Sequence, residues 1–218
     1  MSAKFRILLS SMIVLLLAFS ATASAQRGRS PTIKAGLVRA SHSAPTFTLA
    51  KSDGSLTTTN ADPMVGNDMF LEYILFGRLG LEVRSGMTAA VRNYQLTDAN
   101  GAIISNVKEE ARPTMMGLNL YFSSHESGTL KPYVGLGSGR INVNMDFSSG
   151  SLGPQQSKHK VPINTIKFGV DWVKDNAGAR LEVLNQSGSN IDSTSIPTYS
   201  QTADYTTTVI GLALFAFF

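Results

Sequence analysis

The stretch PYVGLGSGRINVNMDF, residues 132–147, alternates almost without a break. Tyr133, Gly135, Gly137, Gly139, Ile141, Val143, Met145 and Phe147 share one parity. Ser138, Arg140, Asn142, Asn144 and Asp146 share the other. Successive side chains on a strand point to opposite faces, so this period yields one apolar and one polar face. A helix, with its longer period, could not separate the two sets.

The pattern recurs along the chain. In residues 163–174, Ile166, Phe168, Val170 and Trp172 oppose Thr165, Lys167, Gly169 and Asp171. In 177–185, Ala179, Leu181 and Val183 oppose Arg180 and Glu182. In 79–92, Leu81, Val83 and Met87 oppose Glu82, Arg84 and Thr88. In 112–122, Thr114, Met116 and Leu118 oppose Met115, Asn119 and Tyr121. Residues 69–76 set Glu72 against Leu71 and Tyr73, and 33–41 hold Lys34, with Arg39 on the parity of Leu37. Residues 205–218 make the eighth segment.

The connections sort by length. Residues 43–68, 93–110, 148–161 and 187–204 are long and rich in small polar residues, whereas 76–78, 123–129 and 174–178 are short. Segments of about ten alternating residues, even in number and joined by long and short links in turn, are the signature of outer-membrane barrels. A secreted sandwich also alternates, but it has no reason to sort its loops between two ends.

Lys4 and Arg6 precede an apolar run over 7–21, followed by Ala23 and Ala25 in a small-x-small pattern. Residues 1–25 are therefore predicted to be a secretory signal peptide and 26–218 the barrel. No later segment reaches the roughly 20 apolar residues of a spanning helix. Without Lys4 and Arg6 the 19 basic residues become 17, against 15 acidic ones. That balance, with no basic cluster in the sequence, gives no reason to expect a nucleic-acid partner. The chain has no cysteine, hence no disulfide and no thiolate metal site.

The fold expected is all-β: an eight-stranded antiparallel up-and-down transmembrane β-barrel. It is expected in the bacterial outer membrane, surrounded by outer-membrane lipid, with long loops extracellular and both mature termini periplasmic. Only a closed sheet satisfies its backbone in lipid. The polar faces then point inward, and Lys34, Glu72, Glu82, Arg84, Arg140, Lys167, Asp171, Arg180 and Glu182 are expected to form an ion-pair network in the lumen. Thr88, Met115 and Asn142 are the candidate lining of a passage near the loop end. Tyr133 and Trp172 suit an interfacial aromatic girdle.

TTTVIGLALFAFF, residues 206–218, carries no charge. It is read as the closing strand, paired with 33–41. Ile210, Leu212, Leu214, Ala216 and Phe218 would face lipid, and Val209, Gly211, Ala213, Phe215 and Phe217 the lumen. Phe218 resembles the terminal aromatic by which the barrel assembly machinery, an expected partner, recognises its substrates.

Residues 112–143, RPTMMGLNLYFSSHESGTLKPYVGLGSGRINV, resemble the OmpW family of small outer-membrane barrels. The resemblance is carried by Pro113, Thr114, Tyr121, Phe122, Lys131, Pro132, Tyr133, Val134, Gly135 and Gly137. IKAG at 33–36, LGLEV at 79–83 and FGVDW at 168–172 extend it weakly over the chain. PYVGLG also fits the broader OmpA-like and OmpX-like barrels. The resemblance implies an eight-stranded barrel with a hydrophobic passage for small apolar molecules, which would be its solute partners. The chain departs from the family in its many lumen charges and in its Phe215-Ala216-Phe217-Phe218 ending.

Three functions fit such a barrel, in this order: a passive conduit or binding barrel for small hydrophobic solutes, a non-transporting structural or surface-interaction barrel, and, last, a lipid-modifying enzyme. A closed ion-pair plug would favour the second. No enzyme, catalytic residue, cofactor or metal is expected. His125-Glu126-Ser127 superficially fits a Ser–His pair but falls in a short turn, and His42 and His159 read as unrelated exposed residues near the long loops.

Overall fold

The computed structural model describes residues 32–43, 49–51, 54–55, 57–59, 63–97, 100–123, 130–148, 154–188, 199–201 and 205–218. The signal-peptide segment and the His125-Glu126-Ser127 turn lie outside the described residues.

The strands are β1 (Thr32–His42), β2 (Leu49–Lys51), β3 (Gly54–Ser55), β4 (Thr57–Thr59), β5 (Met64–Leu75), β6 (Leu79–Gly86), β7 (Ala90–Thr97), β8 (Ile103–Tyr121), β9 (Leu130–Ser148), β10 (Gln155–Lys174), β11 (Ala177–Gly188), β12 (Tyr199–Gln201) and β13 (Tyr205–Phe217). The main sheet runs β1-β13-β11-β10-β9-β8-β6-β5, and β1 pairs with β5 to close the ring. Every pairing is antiparallel. β7 takes over from β6 along β8, so the two share one of eight positions around the barrel. β2, β3 and β12 form a separate three-stranded sheet.

Closure falls where the sequence places it. Lys34 faces Phe217 across β1 and β13, and the register holds to His42 opposite Val209. Phe218 N–H donates to the Ile33 carbonyl at 2.9 Å. At the opposite side of β1, Lys34 faces Glu72 of β5. Leu75 pairs with Leu79, so three residues connect β5 to β6; within them Phe76 and Gly77 both have positive φ, and Arg78 N–H donates to the Leu75 carbonyl at 3.0 Å. Positive φ at both central positions matches the strand twist of a tight hairpin.

The strands at the loop end are longer than expected. β8 and β9 have 19 residues each and β10 has 20, against 11 in β1 and 13 in β13. Most of 93–110 and the end of 148–161, expected as loop, are strand. The reason is a reversal of polarity along each long strand. Near the short turns the outward residues are apolar: Met116, Leu136, Ile166, Phe168 and Trp172 are all about half exposed or more. Toward the loop end the same outward face carries Arg112, Arg140, Lys158 and Lys160. The inward face does the opposite. It is charged near the short turns and apolar above them, where Val107, Ala111, Ile141, Val143, Met145, Phe147, Val161 and Ile163 form a buried cluster. Alternation persists while its sense inverts, so a search for one continuous lipid face ends the strands too early.

Candidate functional site

The middle of the barrel is occupied by a charged layer. Lys34, Glu72, Glu82, Arg84, Lys167, Asp171, Arg180 and Glu182 point inward and are at most 2% exposed. Alternation puts each on the inner face, and the ring brings strands distant in sequence to one level. The four cations and four anions balance. Lys34 Nζ lies 2.5 Å from Glu72 Oε2 and 2.6 Å from Asp171 Oδ2, joining three strands. Arg180 reaches Asp171 Oδ1, Glu82 Oε2 and Glu72 Oε2 at 2.7, 2.9 and 2.9 Å. Lys167 pairs with Glu82 at 2.8 Å, and Arg84 with Glu182 at 2.6 Å. Charges this buried need both partners and additional hydrogen bonds to offset desolvation.

Neutral groups add hydrogen bonds to the layer. Asn119 Nδ2 donates to Glu72 at 2.7 Å and to Glu82 at 2.9 Å. Tyr121 donates to Glu72 at 2.8 Å, and Tyr133 to Glu182 at 2.9 Å. The two tyrosines face each other across β8 and β9, with ring centroids 5.2 Å apart. The Arg180 guanidinium lies 4.6 Å from the Tyr133 ring and 4.7 Å from the Phe70 ring. These cation–π contacts occupy the faces that its salt bridges leave. Phe215, on the inward face of β13, packs 5.0 Å from Lys34 Nζ. The inner apolar wall of the closing strand therefore seals against the charged layer.

Of the nine residues assigned to the lumen from sequence, Arg140 is corrected: it is exposed on the outer face. Alternation alone turns the apolar odd face of its strand toward lipid, yet that face points inward. Gly135, Gly137 and Gly139 leave space there for side chains from neighbouring strands. A Cβ on Gly137 would stand 3.1 Å from Met115 Cε. The same inversion corrects Tyr133, which is interior and not in a girdle, while Trp172 is outward and 51% exposed. Of the passage candidates, only Met115 faces the interior, 2% exposed. Asn142 is half-buried on the outer face. Thr88 is exposed in the break between β6 and β7, its hydroxyl accepting from Asn67 N–H at 3.0 Å. His42, expected to be exposed, is 3% exposed. Phe218 is outward and exposed.

Asn119, Tyr121 and the Arg92–Glu109 pair belong to the interior although they were not singled out as site residues. Parity could have found the first two, which share a face with Met115. Arg92 and Glu109 are cross-strand partners on β7 and β8, and Arg92 Nε donates to Glu109 at 2.7 Å. They lie in the loop-end extension, beyond the outward apolar band. Burial pushes the Glu109 carboxyl above its usual range in spite of Arg92, and pushes the Tyr94 hydroxyl up as well.

Above the charged layer, the apolar cluster of the long strands fills the interior. A groove of about 690 Å³ lies on the outer wall, where the exposed side chains of Leu37, Met87, Leu212 and Leu214 border it.

These features define a small closed antiparallel β-barrel with eight strand positions, and solved structures of outer-membrane proteins share the fold. The crystal structure of the outer membrane protein OprG from Pseudomonas aeruginosa is similar with a TM-score of 0.60 at 14% identity, over 85% of this chain and 95% of that one. The outer membrane protein AlkL, solved in DMPC bilayers, is similar at 0.51 and 16% identity, over 88% and 95%. Ail, the attachment invasion locus protein of Yersinia pestis, crystallised with the heparin analogue sucrose octasulfate, is similar at 0.52 and 11% identity, over 87% and 100%. Neither a protein-family model nor a curated relative matches the chain.

Proposed function

We propose that the chain resides in the bacterial outer membrane as a closed, non-conducting barrel whose working surface is its exterior. The observation that carries this reading is the charged layer: eight ionic side chains from five strands meet across the lumen with at most 2% exposure. An eight-stranded barrel has an interior that side chains can fill, and here they include bidentate and cation–π contacts. A solute moving along the axis would have to separate these charges in a medium that solvates them poorly. The outward apolar band supports membrane residence, and the polar exterior of the long strands supports their projection into water at the cell surface. The groove beside Leu37 and Leu212 opens outward, so it gives no path along the axis. The same fold serves a barrel named for attachment, Ail, which supports a surface role by analogy of fold alone.

The test is conductance and flux. Purified, folded chain in planar bilayers and liposomes should give no discrete ion conductance. It should also give no entry of small apolar compounds above protein-free background. Reproducible conductance or flux would overturn the reading in favour of a conduit.

A further inference from the structure

We infer that the outer face of β8, β9 and β10 is a docking site for the phosphate groups of the outer leaflet's phosphorylated glycolipid. This rests on the proposed orientation, with the long strands toward the cell exterior. Arg112 of β8 is paired through Asn142 of β9 to Lys160 of β10 in one row across the sheet. Arg140 lies one outward position nearer the apolar band, opposite Thr114 and Pro162. It is thus diagonal to both Arg112 and Lys160, at about 7–8 Å in a sheet. All three basic residues are exposed, and the Asn142 amide sits between them. None of the three is in a salt bridge among the described residues. Of the nearest outward carboxylates, Glu110 is paired with Lys108 at 2.7 Å and interacts only more weakly with Arg112, and Asp146 stands two rows away from Arg112.

The height of the triangle matches a headgroup. Arg140 is four residues beyond Leu136, and Arg112 four residues beyond Met116, the last fully apolar outward positions on their strands. Four residues span about 13 Å along a strand, less once tilted, and an arginine stem can lie back along the wall toward the bilayer. Planar guanidinium groups bind phosphate oxygens in pairs. The opposite wall is different. At the corresponding level β11 and β13 offer Asn185, Ser187, Thr206 and Thr208, and β1 offers the single cation Arg39. The charge is therefore concentrated on one side of the barrel, as a localised ligand requires and general solubility does not.

The experiment uses the folded full chain in micelles, with bisphosphorylated lipid A as probe and native mass spectrometry or a thermal shift as readout. Lipid A should remain bound, and lipid A stripped of phosphate should not. The triple variant Arg112→Gln, Arg140→Gln, Lys160→Gln should lose affinity by roughly a hundredfold while melting normally without lipid. Arg39→Gln should bind as the parent does. Equal binding of the phosphate-free lipid, equal binding of phosphatidylglycerol, or an equal loss in Arg39→Gln would overturn the site. Failure here with bilayers still silent would leave the closed-barrel reading standing. Conductance with lipid A still bound would remove that reading alone.

Discussion

Glu72 and Glu82 stand directly opposite each other on β5 and β6, two carboxylates paired across a ladder inside the barrel. Like charges in that relationship repel. They are held by Arg180, which comes from β11 to donate to one oxygen of each at 2.9 Å, and by Asn119, which donates to both. Replacing Arg180 by Met should therefore cost about 3–5 kcal/mol, the range for removing one member of a buried ionic group. Arg180→Lys should recover little of it, because a point charge cannot reproduce the fork. Urea unfolding in micelles measures both, and a loss below about 1 kcal/mol for Arg180→Met would refute the interlock.

Gly169 gives Tyr133 its place. A Cβ at 169 would lie 2.5 Å from the Tyr133 ring and its hydroxyl. Gly169→Ala should destabilise by about 1–3 kcal/mol through overpacking. The same substitution in a Tyr133→Leu background should cost clearly less, since the clashing ring is gone. Additive effects of the two changes would show that the contact is not the cause.

Strand number, closure between β1 and β13, and eight of the nine lumen charges were legible because alternation needs only parity. Lys34, Glu72 and Arg180 each sit among apolar neighbours of opposite parity, so their direction follows once the outside is taken as apolar. Parity alone does not say which face is outside. In β9 the odd face combines Tyr133 and three glycines with Ile141 to Phe147 and looks lipid-facing, although it is the interior. Arg140, Asn142 and Tyr133 were misplaced for that one reason. The partners within the charged layer were also unreadable. Lys34 and Asp171 are 137 residues apart, and only the closed ring brings them together.

The polarity switch along β9 predicts a depth profile. Trp172 is the chain's sole tryptophan, so a Trp172→Phe background is dark. In that background Leu136→Trp should be quenched by lipids brominated on their acyl chains, and Asn144→Trp should be quenched only by a water-soluble quencher. Both positions are exposed on the same outer face, eight residues or about 27 Å apart along the strand. Equal acyl-chain quenching at the two would refute the boundary.

Glu109 sets the response of the loop-end extension to acid. Burial holds its carboxyl above the usual range despite the Arg92 contact. The folded state therefore takes up a proton more readily than the unfolded state. By linkage, this group's contribution to stability is present in full below its unfolded pKa, and is lost as pH rises through the folded one. Acidification from neutral pH toward the usual carboxylate range should then strengthen the β7–β8 hairpin at this position. Hydrogen exchange at Tyr94 and Val107, corrected for intrinsic rates, should show protection rising as pH falls. Glu109→Gln, which keeps the shape but cannot titrate, should flatten that slope. Protection that falls on acidification in the parent, or a slope unchanged in Glu109→Gln, would mean that another group governs the extension.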